Sequence, residues 1–132
     1  MPSTAIASDY LEAKLYDHAL RNTPWTSPTT VYAALFDVDP GDDGASGTEH
    51  SGAGYARQAV TFGAPADGTG SNSGKVTYPT ATADWGQTGG WALFDAVTAG
   101  NILFHGSLET SKYVSEGQTP EFETGDLEIT FA

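Results

Sequence analysis

Apolar residues recur at two different periods along this chain. In SDYLEAKLYDHALRNTPW, Ser8 to Trp25, Leu11, Leu15 and Ala19 fall at i, i+4 and i+8, and Tyr16 and Leu20 widen the stripe. That spacing predicts one amphipathic helix over 8–22. Ser8 suits the N-cap, Asp9 and Glu12 place negative charge in the first turn, and Asn22 and Pro24 end the element. At about 20 Å such a helix is marginal alone. Its stripe is therefore expected to pack on its own sheet or on a neighbouring subunit.

Beyond Pro24 the pattern shortens to runs of strand length separated by glycine. VYAALFDV, Val31 to Val38, is apolar on both alternating faces, as in a strand covered on both sides; the helix is the expected cover on one of them. YARQAVTF (55–62), KVTYP (75–79), ATADW (81–85), WALFDAV (91–97) and NILFHGSL (101–108) follow, with TAG between the last two as a hairpin turn. KYV and PEF are weaker strands. DLEITFA alternates, with Leu127, Ile129 and Phe131 on one face. The segments 39–54 and 63–74 have the glycine, serine and aspartate content of long surface loops. About eight short strands with glycine-rich turns predict a mainly β domain over 1–132: an antiparallel β-sandwich or jelly-roll-like barrel with one N-terminal α-helix.

Composition narrows the function classes. The 132 residues suffice for one self-supporting core, and the absence of cysteine excludes disulfides and thiolate chemistry. No apolar run approaches the roughly 20 residues of a membrane span. MPSTAIAS carries no basic residue and no apolar core of signal-peptide length, so any export is expected to use another route. Seventeen acidic residues against five Lys plus Arg give a formal net charge of −12, which argues against nucleic-acid or anionic-membrane partners and suits a high-salt setting.

Candidate chemistry is sparse. Asp37, Asp39, Asp42, Asp43 and Glu49 gather in and beside one loop, but Pro40 and Gly41 break the spacing of a calcium loop, so no metal is expected. His18, His50 and His105 show no metal-ligand spacing. Asp84 and Asp95 flank Trp85 and Trp91, the residue types of a glycoside hydrolase, yet nothing fixes their separation. Nucleophile-elbow and phosphate-loop motifs are missing. The expectation is no enzyme, no catalytic residue and no cofactor. Arg57 lies in an otherwise apolar run and needs a carboxylate, within the chain or across a subunit boundary. Leu11, Leu15, Ala19 and Arg57 are the candidate interface residues.

The order of segments resembles a family of small tailed-virus virion proteins often labelled phage tail fibre protein. The resemblance runs from about Ser8 to Phe131. SGAGYARQAVTF and ATADWG carry it most specifically, with Tyr55, Arg57, Trp85 and Gly86 matching position by position. It implies a virion structural protein without catalytic residues. Shaft repeats and long coiled coils are absent, and the size is similar to that of capsid decoration proteins. The first expectation is therefore a cement protein on the head, a homo-oligomer with a trimer favoured, contacting the major capsid protein or other virion proteins. A tail or tail-fibre adaptor is the alternative. A carbohydrate-binding module using Trp25, Trp85 or Trp91 is the third.

Overall fold

The computed structural model describes residues 5–131; residues 1–4, the start of the MPSTAIAS stretch, and residue 132 lie outside them. The described chain is mainly β, antiparallel and not closed into a barrel. Its strands are β1 (Ile6–Ala7), β2 (Val31–Phe36), β3 (Gln58–Val60), β4 (Thr69–Ser71), β5 (Val76–Thr77), β6 (Gly86–Phe94), β7 (Ile102–Val114), β8 (Glu121–Phe122) and β9 (Glu128–Thr130), with helix α1 at Asp9–Leu20. Five of them form one sheet in the order β1-β7-β6-β2-β3, and two ribbons, β4-β9 and β5-β8, form a second layer.

The two layers enclose the main core. Ala33, Leu35, Trp91 and Leu93 from the large sheet meet Val76, Tyr78, Phe122, Leu127 and Ile129 from the ribbons. Trp91 is fully buried, and it fits because Gly106 lies opposite it: a Cβ there would sit 2.8 Å from the indole Nε1. The Tyr78 hydroxyl donates to the Ala33 carbonyl at 2.9 Å, tying ribbon to sheet. Buried Asn72 joins the rest of the second layer. Its amide donates to the Gly74 and Glu123 carbonyls, and its oxygen accepts from the Gly125 and Leu127 N–H groups. A full set of partners is what makes a buried amide affordable.

Several expectations change. ATADW is not a strand, β6 begins at Gly86 rather than Trp91, and KYV is the end of the long strand β7. The expected loop 63–74 contains β4, and Phe131 is more than half exposed. The largest correction concerns the second face of β2. Ala34, Phe36, Ala92, Phe94 and Ile102 form a separate cluster there, and the acidic loop after Phe36, not the helix, covers it. Pro40 is buried, and the loop backbone runs so close to β6 that a Cβ on Gly90 would lie 2.2 Å from the Val38 carbonyl oxygen. Gly89 and Gly90 are strand residues whose lack of a side chain admits the loop.

Candidate functional site

The segments that carried the resemblance meet in space. The Glu49 carboxylate receives a two-pronged contact from Arg57, Nε at 2.9 Å and Nη2 at 2.8 Å, and accepts the Tyr55 hydroxyl at 2.7 Å. Arg57 Nη1 donates to the Ala96 and Ala99 carbonyls of the β6–β7 turn, and the guanidinium carbon lies 3.7 Å from the centre of the Phe94 ring. Arg57 immediately precedes β3. Its carboxylate partner is within the chain, and its side chain is only 7% exposed. The Tyr55 hydroxyl also accepts from the Leu35 N–H. Its ring meets Trp85 edge-on at 5.3 Å, and the Trp85 indole donates to the Ala53 carbonyl at 2.9 Å. His50 Nε2 lies 2.6 Å from the Thr88 hydroxyl. Burial and the bond to Glu49 push the Tyr55 phenol far above its ordinary range, and burial holds the His50 imidazole below its ordinary value. This knot fastens the 49–57 segment to both β2 and the β6–β7 turn.

The acidic loop is tied by its own carboxylates. One Asp37 oxygen accepts from the Val38 and Thr48 N–H groups, both at 2.7 Å, and the Thr48 bond is the main cause of a carboxyl held below its usual value. Asp39 accepts from the Gly41 N–H and Asp43 from the Ala45 N–H. Buried His105, on β7, lies between Asp39 at 2.6 Å and Asp42 at 2.8 Å, one carboxylate on each ring nitrogen. Carboxylates only accept, so both contacts are satisfied together when both nitrogens donate. Among the described residues no group of His, Cys, Asp or Glu is placed to hold a metal ion.

Helix α1 is anchored to β7 at its N-terminal end. The buried Ser8 hydroxyl accepts from the Leu11 N–H as the N-cap and donates to the Ile102 carbonyl at 2.6 Å, while the Ser8 N–H bonds to the Leu103 carbonyl. Leu11 is buried. The helix ends at Leu20, with Arg21 as C-cap and Asn22 in the left-handed region at φ 53°. The returning chain bonds to it through the Trp25 N–H and His18 Nδ1 at 3.2 Å. The rest of the expected stripe faces solvent: Leu15 is 37% exposed, Tyr16 59% and Leu20 70%, and Ala19 is also exposed. Lys14 and Asp17, by contrast, are half-buried. The amphipathic helix thus turns apolar side chains away from its own domain.

The hydrolase constellation does not assemble. Asp84 and Asp95 stand beyond opposite ends of one strand, β6, whose nine residues span about 30 Å; a glycosidase pair stands about 5–10 Å apart. Asp84 instead accepts from the Glu116 N–H and Asp95 from Asn101. Trp91 presents no surface to a sugar, and Trp85 is packed on Tyr55. The organising polar residues are Glu49 and His105, which the sequence reading weighed only as metal ligands, and Asn72, which it left inside a loop. Among the described residues no helix is long and apolar enough to cross a membrane. No curated protein matches the chain. A sequence-family model described as Gp80, podophage GP4 fiber I protein gp80, matches residues 6–130.

Proposed function

The chain belongs to the podophage GP4 fiber I protein gp80 family, a phage fibre-type family of virion structural proteins, and from that premise we propose that it is a non-enzymatic assembly module of the tail-fibre apparatus. One observation carries this reading. Helix α1 lies outside the double-layer core with Tyr16 and Leu20 on solvent, an arrangement suited to joining one virion component to another. The polar clusters are spent on holding loops, which supports a structural rather than catalytic role. Decoration of the head shell is the second reading, favoured by the lack of shaft repeats or coiled coil in the sequence.

Counting copies separates the two. Purified virions would be disrupted, heads and tails separated on a gradient, and this chain quantified against the major capsid protein. A low, fixed copy number sedimenting with tails is the expected result. Hundreds of copies on the head fraction would overturn the fibre reading in favour of decoration.

A further inference from the structure

His105 is the one buried histidine among the described residues, 3% exposed, and the acidic loop grips its ring at both ends. Nδ1 lies 2.6 Å from Asp39 and Nε2 lies 2.8 Å from Asp42. Its neighbours across the sheet, Ala92 on β6 and Ile6 on β1, are apolar. Helix α1, packed on the same strand, carries Asp9, Glu12 and Lys14 in its first two turns; Asp9 and Glu12 are exposed, and Lys14 lies over the Tyr10 ring. Among the described residues, the charged groups in contact with the imidazole are the two loop carboxylates.

We infer that Asp39, His105 and Asp42 form a proton-operated latch: the imidazolium clamps the acidic loop to β7, and loss of its proton releases the loop. A neutral imidazole has one N–H and one bare lone pair. Here that lone pair would face a carboxylate oxygen at hydrogen-bond distance, with little water around the ring to screen the repulsion. With both nitrogens protonated, each carboxylate receives a charge-assisted hydrogen bond. The extra proton belongs on the ring rather than on an aspartate. The Asp39 and Asp42 side chains are 31% and 52% exposed, so water supports their charge, and imidazole is the stronger base by roughly two to three powers of ten.

The latch reaches beyond the loop. The Asp42 carbonyl accepts the Asp9 N–H at the start of α1, and a Cβ on Gly44 would touch Ile102, whose carbonyl accepts the Ser8 hydroxyl. Releasing the carboxylates thus loosens the cover of the sheet and one contact at the base of the helix together. The clamp is complete below about pH 6.5, the ordinary histidine value, and is lost as pH rises and the proton leaves. That direction is opposite to the effect of His50, which weakens the fold in acid.

The test is an NMR titration of the pure full-length chain from pH 6 to 10, with Asp42→Asn beside it. At pH 7.5 both ring nitrogens of His105 are expected at the shift of a protonated nitrogen. The Ser46 N–H, bonded to the Pro40 carbonyl within the loop, should lose roughly tenfold in exchange protection as the ring loses its proton. The Tyr78 N–H, bonded to the Pro120 carbonyl in the second layer, should keep its protection. An asparagine accepts from an N–H or donates to a lone pair, so Asp42→Asn should carry a neutral ring at pH 7.5 and a loop whose protection no longer follows pH. A parent ring that is neutral at pH 7.5, or still protonated at pH 10, overturns the inference. So does loop protection that stays constant while the ring loses its proton; neither reading needs a variant. A pH dependence that Asp42→Asn leaves intact overturns it as well, because the dependence then belongs to another group. The readout involves no virion, so its failure leaves the fibre assignment standing.

Discussion

Gly90 offers the sharpest test of the claim that a loop, not the helix, covers the outer face of the sheet. In Gly90→Ala the new Cβ would lie 2.2 Å from the Val38 carbonyl oxygen, 2.4 Å from its carbon and 2.6 Å from the Asp39 nitrogen. These are backbone atoms, so no rotamer change relieves the overlap. Ordinary contact begins near 3.4 Å, and the loop must move by about 1 Å or more. The next residue, Asp39, carries the contact to His105, and a Cβ on Gly44 of the same loop would touch Ile102 at 3.8 Å, so the loop lies over that apolar side chain. Overpacking alone costs about 1–3 kcal/mol, and re-exposing even one large apolar side chain adds about 1.5–3 kcal/mol. The sum is about 2.5–6 kcal/mol. With roughly 2.1 cal/mol/K of unfolding entropy per residue, each kcal/mol lowers the midpoint of a chain this size by about 3–4 °C. Gly90→Ala should therefore melt at least about 8 °C below the parent by circular dichroism. Gly74→Ala is the control, since a Cβ there meets nothing within 4 Å; it should be neutral or slightly stabilising. If both variants melted within about 2 °C of the parent, the loop would not be a tight cover.

Other outcomes follow from the same contacts. Arg57→Ala strands the Glu49 carboxylate and should cost about 3–5 kcal/mol in urea unfolding, while Arg57→Lys, which keeps charge without the fork, recovers only part; a loss under about 1 kcal/mol for Arg57→Ala would show the knot to be ornamental. Stability should fall in two stages on acidification. His50 is held below its ordinary 6.5, so the unfolded chain takes up its proton first and stability drops as pH falls below that value. Asp37 is held below its ordinary 3.8, so its contribution is complete above that value and is lost as pH falls further. Midpoints measured from pH 8 to 3 should bend in both windows, and His50→Gln should remove the upper bend. Melting of the parent should rise from low to molar KCl as the −12 charge is screened; a flat trend would remove the high-salt reading.

What could be read in advance was what depends on neighbours in sequence. The N-cap at Ser8, the left-handed stop at Asn22 and the TAG hairpin are local chemistry, and all three are where the pattern put them. The strand VYAALF was legible because both its faces are buried. The first half of β6 misled because Gly89 and Gly90 answer to a loop some fifty residues earlier, which no local window contains. Segment 63–74 misled because Asn72 holds it through bonds to residues near 125. At the candidate site, periodicity identified the apolar stripe of α1, but only the fold shows that Leu11 alone is buried and the remainder face outward. Arg57 announced its need for a carboxylate. Which of seventeen acids would answer was beyond a sequence argument, because the choice of Glu49 depends on β2 and the β6–β7 turn converging.

The order of strands in the large sheet has a consequence for how the molecule is made. β1 lies beside β7, with Ser8 bonded to Ile102 across 94 positions, and β4 waits for β9, with Thr69 opposite Thr130. At about 5–20 residues per second of synthesis, the first strand exists for several seconds before its partner has been made. Neither layer can close until nearly the whole chain has left the ribosome, and such long-range pairing then belongs to the slower classes of folding. Through that interval the α1 segment is unanchored peptide with its leucines on solvent. Removing the last few residues would therefore do more than trim an end: it would take away the strand that β4 needs, leaving one ribbon of the second layer unable to form.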